Sequence, residues 1–143
     1  MKKAKKVAAS REGSDVSPKR ARELEQARAL ALAIAEIAFD RKAENVEIID
    51  VVGKVDYADF VVLMSGRSDR QVAALAKNLA DDVRQRLGVK ALSVEGLPQA
   101  SWVLMDFGDV IVHVFHRDTR GYYDLEALWI DAPRVPVPTP DRA

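Results

Sequence analysis

The sequence predicts a single α/β domain in which a mixed β-sheet of about five strands is flanked by helices. Segments with apolar residues at helical spacing alternate with short segments rich in Val and Ile, which is typical of α/β proteins. One short segment, residues 59–66, is almost wholly apolar, which indicates a central strand covered on both faces. The length of 143 residues allows one hydrophobic core and is too short for two.

Three regions are expected along the chain: a disordered basic arm at residues 1–16, a folded domain at residues 17–130 and a proline-rich disordered tail at residues 131–143. The first region has no hydrophobic pattern. The last contains four prolines between positions 133 and 140, a composition typical of extended chain. We therefore expect the regular secondary structure between residues 17 and 130.

The first helix is predicted from Ser17 to about Arg41. Ser17 supplies an N-cap hydroxyl, and Pro18 stands in the first turn, where its missing N–H costs nothing. The apolar side chains cover two faces of this helix, which indicates packing on two sides. One face carries Leu30, Ile34 and Ile37, and the other carries Leu32 and Phe39.

Strands are predicted at residues 45–53 and 59–66, and a second helix follows them. Ser68 and Gln71 have the spacing of a capping box, in which each side chain bonds to the backbone N–H of the other. Apolar residues then recur at helical spacing up to Gly88, a glycine of the kind that follows a last helical turn.

The remaining predicted elements are a short strand at residues 90–96, two strands within residues 101–116 and an amphipathic helix at residues 122–129. The two strands join at Phe107–Gly108, where the glycine supplies a left-handed turn conformation. The expected core anchors of the last helix are Leu125 and Trp129.

Two triplets in this region also occur in protein kinases: Asp106–Gly108 reads DFG, and His116–Asp118 reads HRD. The kinase interpretation fails because the triplets stand in reverse order and because Tyr123 occupies the position of the kinase asparagine. The chain is also far too short for a kinase domain. We interpret both triplets as coincidence.

Composition excludes other classes of protein. With no cysteine, the chain has no disulfide and no thiolate metal site, and a reducing compartment fits, so a cytoplasmic location is expected. The longest apolar segment, residues 29–39, is too short to span a bilayer, and no apolar segment follows basic residues 2–6 as in a secretory signal.

The net charge of zero conceals an uneven distribution. Residues 1–22 carry eight basic and two acidic side chains, a net charge of +6, whereas the rest carries 14 basic and 20 acidic side chains, a net charge of −6. A solvated tail is the favoured interpretation of the basic arm, and contact with a nucleic-acid backbone is the alternative. The acidic body suits a basic protein partner.

Four residues around the hairpin are candidates for a metal or acid–base site: Asp106, Asp109, His113 and His116. On one strand, Asp109 and His113 lie roughly 13 Å apart at about 3.3 Å per residue, too far for one metal ion. The two histidines point to opposite faces. Whether the two aspartates face each other depends on a turn of two residues or of three, which the sequence leaves open. Solvated turn carboxylates are favoured, and no metal is predicted.

The loop Gly66–Asp69 lies between a strand and a helix N-terminus, a geometry that can hold phosphate. An ordinary helix cap explains it better, and the following acids, Asp81 and Asp82, diverge by about 100° on a helix. No cysteine or G-x-S-x-G serine supplies a nucleophile. We therefore predict no enzymatic activity, catalytic residue, cofactor or small-molecule substrate. A nucleotide-binding or nucleotidyl-transfer enzyme is the alternative.

Aromatic residues concentrate near the end of the acidic body, at Trp102, Phe107, Phe115, Tyr122, Tyr123 and Trp129. Such residues are more often core than surface, but Tyr and Trp also dominate protein interfaces. Taken together, pattern and charge indicate an acidic α/β binding module.

Three segments of the chain resemble the ribosomal silencing factor family, also called RsfS or the Iojap relatives: DFVVLMSGRSDRQV at residues 59–72, VEGLPQASWVLMDFGDVIVHVF at residues 94–115, and YYDLEALW at residues 122–129. The resemblance runs from about Leu24 to Trp129. It implies a nucleotidyltransferase-like topology without the catalytic carboxylates, in a protein that is a homodimer when free.

The resemblance also implies a function and a partner. Family members bind the large ribosomal subunit at its ribosomal protein number fourteen, block joining of the small subunit and repress translation under nutrient limitation. The implied contact residues are Trp102 and Tyr123, and Tyr122, Asp124 and Glu95 are expected beside them. No membrane partner is expected. A large-subunit assembly factor, with the basic arm on ribosomal RNA, is a further alternative.

Overall fold

The computed structural model describes residues 17–97 and 99–138. The predicted basic arm at residues 1–16 and residues 139–143 of the predicted tail lie outside the described residues. The helices are α1 (Pro18–Asp40), α2 (Asp69–Leu87) and α3 (Arg117–Tyr123), and a 3₁₀ helix spans Leu125–Trp129. The strands are β1 (Glu44–Asp50), β2 (Phe60–Gly66), β3 (Ser93–Glu95), β4 (Trp102–Asp106), β5 (Val110–His116) and β6 (Arg134–Val135).

The strands form one mixed sheet in the order β3-β4-β5-β2-β1-β6. β2 and β5 run parallel, and the other neighbouring pairs run antiparallel. The predicted central strand is β2, whose residues are all buried between β1 and β5. The predicted single α/β domain with a mixed sheet is confirmed, and the sheet has one strand more than the five expected.

The additional strand lies where a disordered tail was expected. Arg134 and Val135 pair with β1, and the N–H of Asp50 donates to the carbonyl of Pro133 at 2.9 Å. Prolines at positions 133 and 136 flank this strand and have no N–H to donate, which restricts it to two residues at the edge of the sheet. Strand pairing thus continues beyond the domain boundary expected at residue 130.

Helices α1 and α2 pack on one face of the sheet and enclose the larger apolar core. Ser17 caps α1, since its Oγ accepts from the N–H of Arg20 at 3.0 Å. Ser68 caps α2 by accepting from the N–H of Gln71 at 3.1 Å, but the Gln71 side chain accepts from the N–H of Arg67 instead of Ser68. Both helix starts are therefore confirmed, and the reciprocal half of the capping box is wrong.

The opposite face of the sheet carries a smaller core that the end of the chain covers. Its buried residues are Ile49, Val51, Val61, Leu63, Phe115, Trp129 and Ala132. The helix predicted over residues 122–129 is instead the end of α3 followed by the 3₁₀ helix, because Asp124 adopts a left-handed backbone with φ 48° and ψ 53°. Trp129 is buried, as its predicted anchor role requires. The side chains of Tyr122, Tyr123 and Leu125 are not among those described.

No helix in the described part of the chain is long and apolar enough to cross a membrane.

Candidate functional site

The predicted partner-binding residues lie on two neighbouring parts of the fold. Trp102 opens β4 and Glu95 ends β3. Because Glu95 pairs with Leu104, two residues after Trp102, Glu95 and Trp102 lie on the same face of the sheet, opposite α1 and α2. We call this surface of β3, β4 and β5 the far face. The C-terminal end of α3 carries Tyr122, Tyr123 and Asp124.

Helix α3 begins next to Trp102. The N–H of His116, at the end of β5, donates to the carbonyl of Ser101 at 2.8 Å, and α3 starts at the following residue. Glu95 and Asp124 are both exposed. The fold thus brings the start of α3 beside the start of β4, whereas Arg120, farther along α3, bonds to residues of β1 and β2.

Trp102 is partly buried, and its indole is held by aromatic neighbours. Its Nε1 donates to Nδ1 of His113 at 3.0 Å, and its ring centroid lies 5.1 Å from that of Phe115. Gly96 passes close to its backbone: a Cβ at Gly96 would lie 2.2 Å from the Trp102 carbonyl oxygen. The glycine, with φ 109°, is required for this approach of the β3–β4 connection.

His113, a candidate metal ligand in the sequence, is a buried side chain of the far face, 6% exposed. Burial lowers the pKa of His113 from 6.5 to about 4, so the imidazole is neutral at neutral pH. Its Nδ1 already accepts the indole hydrogen bond. Among the described residues, no group of three or more His, Asp or Glu side chains is placed to hold a metal ion.

The structure fixes the hairpin register that the sequence left open. The N–H of Phe107 donates to the carbonyl of Val110 at 2.9 Å, which closes a turn of two residues, Gly108 and Asp109, so the join predicted at Phe107–Gly108 is wrong by one residue. Asp106 therefore opposes Ile111 rather than Asp109, and its Oδ1 accepts from the N–H of Gly108 at 2.8 Å. The two aspartates form no cross-strand pair of carboxylates.

The two kinase-like triplets have local structural roles. The DFG triplet leads into the hairpin turn, and its Gly108 is the first turn residue, at φ 95°. In the HRD triplet, Nδ1 of His116 accepts from the N–H of Asp118 at 3.1 Å and so caps α3. The positive φ of the turn accounts for Gly108, and the bond to the Gly108 N–H accounts for Asp106.

The loop Gly66–Asp69, a candidate phosphate site in the sequence, has a structural role in helix capping and packing. Gly66 is buried, and a Cβ there would lie 3.0 Å from the side chain of Val72. Of the two acids that follow, Asp82 accepts two hydrogen bonds of 3.0 Å from Arg41, and this bonding lowers the pKa of Asp82. The Asp82 carboxylate therefore ties α2 to the end of α1.

Sequence reasoning missed Arg120, which fastens the C-terminal segment to the sheet. Its side chain, 6% exposed, donates to Ser65 Oγ at 3.0 Å, to the carbonyl of Asn45, and to Glu126 Oε2 at 2.9 Å, with Glu47 at 3.5 Å. These bonds join α3 and the 3₁₀ helix to β1 and β2. The sequence contains many charged residues, and nothing in it distinguishes Arg120 from the others.

Comparison with known proteins agrees with this fold. A sequence model of the family described as "Ribosomal silencing factor during starvation" matches residues 24–143. A ribosomal silencing factor of Halalkalibacterium halodurans is 49% identical over 67% of this chain and 81% of its own length. One from Bacillus subtilis is 45% identical over 66% and 79%. A crystal structure of a Bacillus halodurans protein, 41% identical, superposes with a TM-score of 0.63 over 79% of this chain and 99% of that one.

Proposed function

This chain belongs to the ribosomal silencing factor family, and we propose that it binds the large ribosomal subunit at ribosomal protein number fourteen and so blocks joining of the small subunit. In this proposal the protein represses translation in the cytoplasm under nutrient limitation, and it is a homodimer when free. The observation that carries the proposal is the partly exposed indole of Trp102, which His113 holds at the start of β4 on the face that also carries the exposed Glu95.

Charge supports a basic protein as the partner. Outside the arm of residues 1–16 the chain carries 17 basic and 20 acidic side chains, a net charge of −3, and Glu95 and Asp124 are exposed at the proposed contact. Ribosomal proteins are basic because they pack on RNA. An acidic surface with aromatic anchors complements such a protein and is repelled by bare RNA, which favours selective binding.

The proposed mechanism is steric and requires no reaction. A protein that occupies the docking face of the free large subunit shifts the subunit equilibrium away from association by mass action. The extent of this shift depends on the concentration of the protein relative to its dissociation constant. Three of the candidate acid–base side chains have structural roles, since His113 accepts the indole bond, Asp106 accepts from the turn and His116 caps α3, and these roles support binding without catalysis.

The test compares large-subunit binding by Trp102→Ala and Tyr123→Ala with wild type, by co-sedimentation through sucrose gradients. Each substitution is expected to weaken binding by more than ~1 kcal/mol, the range of interface hot spots. Leu87→Ala is the matched control, since Leu87 is exposed at the end of α2 on the opposite side of the sheet. Wild-type binding by folded forms of both test variants would contradict the proposed contact.

A further inference from the structure

We propose that His113 is a positioning residue for Trp102, which it holds in the orientation that the basic protein partner binds. The inference rests on the proposed function, because it treats Trp102 as part of the large-subunit contact. It goes beyond that function because His113 is 6% exposed and offers a partner almost no surface of its own. Its effect on binding therefore acts through Trp102.

The hydrogen bond joins diagonal neighbours of the far face. In the antiparallel pair of β4 and β5, Trp102 lies opposite Phe115, and Leu104 lies opposite His113. Diagonal side chains on one face are separated by about 7–8 Å at the backbone, a distance that a tryptophan spans. The 3.0 Å bond from Nε1 of Trp102 to Nδ1 of His113 thus directs the indole across β5.

The acceptor atom is itself fixed by the core. The imidazole of His113 stacks on Phe115, with ring centroids 5.8 Å apart and planes inclined by 11°, and its neighbour on β2 is the fully buried Leu63. Because an indole N–H can only donate, Nδ1 carries no proton and Nε2 carries it in the neutral ring. Burial maintains this neutral form, since it lowers the pKa of His113 to about 4.

A fixed indole lowers the cost of binding. A side chain that is ordered only on contact loses rotamer freedom at that moment, whereas one that is already held loses little. Trp102 is also partly exposed, so the orientation set by His113 is the one presented to a partner. Removal of the acceptor is therefore expected to weaken binding without removing any atom of the contact surface.

The first test examines the free protein by NMR. The chain has two tryptophans, so Trp102 and Trp129 give two indole N–H signals, and Trp129 serves as an internal control. His113→Phe keeps a ring for stacking but removes the acceptor, whereas His113→Asn places an oxygen near the position of Nδ1. We expect the Trp102 signal to move upfield and exchange faster with water in His113→Phe, to remain near wild type in His113→Asn, and the Trp129 signal to change in neither.

The second test is a double-mutant cycle on binding to the large subunit. His113→Phe is expected to weaken binding about fivefold, the equivalent of one net hydrogen bond, and His113→Asn is expected to restore most of this loss. Trp102→Phe removes the donor from the other side of the bond and keeps an aromatic ring beside Phe115. In the Trp102→Phe background, His113→Phe should cause no further loss, because the interaction is already absent.

The outcomes separate the inference from the proposed function. If Trp102→Ala loses binding but folded His113→Phe binds as wild type, the positioning role is wrong and the proposed function stands. If the losses from His113→Phe and Trp102→Phe add in full, His113 acts through packing alone and the inference is also wrong. If Trp102→Ala binds as wild type, the inference is wrong, and if Tyr123→Ala also binds as wild type, the proposed contact is wrong with it. Should His113→Phe not fold, wild-type binding by Trp102→Phe overturns the inference by itself.

Discussion

A buried neutral imidazole makes the stability of this protein depend on pH. Burial lowers the pKa of His113 from 6.5 to about 4. As the pH falls, the unfolded chain binds a proton at this position before the folded protein does. The free energy of unfolding therefore has its full value above the unfolded pKa and decreases as the pH falls towards the folded pKa. We expect a loss of roughly 2 kcal/mol between about pH 7 and about pH 5 from this residue.

Urea unfolding of wild type and His113→Asn at both pH values measures this contribution. The variant has no group that titrates at position 113, so the stability of wild type relative to the variant should decrease by about the same roughly 2 kcal/mol at the lower pH. Carboxylates elsewhere affect both proteins alike and cancel in the comparison. An identical pH dependence of the two proteins would show that His113 is not buried in neutral form.

At the scale of single residues, the sequence predicted those structural roles that depend only on residues nearby in the chain. Ser17 and Ser68 cap helices and Gly108 makes the turn, because each needs only its immediate backbone. The partners of His113 and Arg120 were not predictable. The first depends on the register of a hairpin, and the second on contacts 55 and 75 residues away along the chain.

At the scale of elements, a buried ion pair joins the start of α1 to the start of β2. Arg20 donates to the two carboxylate oxygens of Asp59 at 2.8 and 3.3 Å, and Asp59 is 1% exposed. Hydrogen bonding to Asp59 raises the pKa of Arg20. Because removal of one partner leaves the other charge buried without compensation, Arg20→Met should destabilise the protein by about 3 kcal/mol.

Thermal or urea unfolding of Arg20→Met checks this value, and Arg22→Met is the control. Arg22 lies on the same helix, is exposed and changes the net charge equally, so its substitution should have little effect. If the two variants are equally stable, the ion pair between α1 and β2 adds nothing to the free energy of unfolding beyond the effect of losing one positive charge.

The helices and strands that the sequence predicted form because of local residue patterns. Those that it missed form because of contacts with distant parts of the chain. Long periodic segments gave α1 and α2 to within a residue or two, and the apolar segment gave β2. β6 is too short to have a pattern and exists because β1 offers it an edge. The break at Asp124 escaped prediction because aspartate is only an occasional left-handed residue and the flanking apolar spacing is helical. The placement of Trp102 and Glu95 on one face depends on the pairing of β3 with β4, which the sequence did not predict.

At the scale of the whole molecule, charge separation divides the chain into a basic arm and an acidic body. The proposed contact residues Trp102, Glu95 and Asp124 all lie in the body, and in the proposed function the body is the part that would exclude the small subunit. Binding energy is thus expected from desolvated aromatics together with charge complementarity to a protein, rather than from neutralised phosphates. These two sources differ in how binding responds to salt.

Deletion of residues 1–16 tests this division. The deletion removes five basic and two acidic side chains. If the arm is a solvated tail, large-subunit affinity should stay within about twofold of the full chain, and the slope of log affinity against log salt concentration should not change.

If the arm neutralises phosphates of ribosomal RNA, the slope should become shallower by about 0.7–0.9 for each phosphate that the truncated protein no longer neutralises. We expect an unchanged slope in co-sedimentation across a series of salt concentrations, with Trp102→Ala as the control that lowers affinity at every salt concentration. A shallower slope for the truncated protein would show that the arm contributes to binding and would favour the assembly-factor alternative.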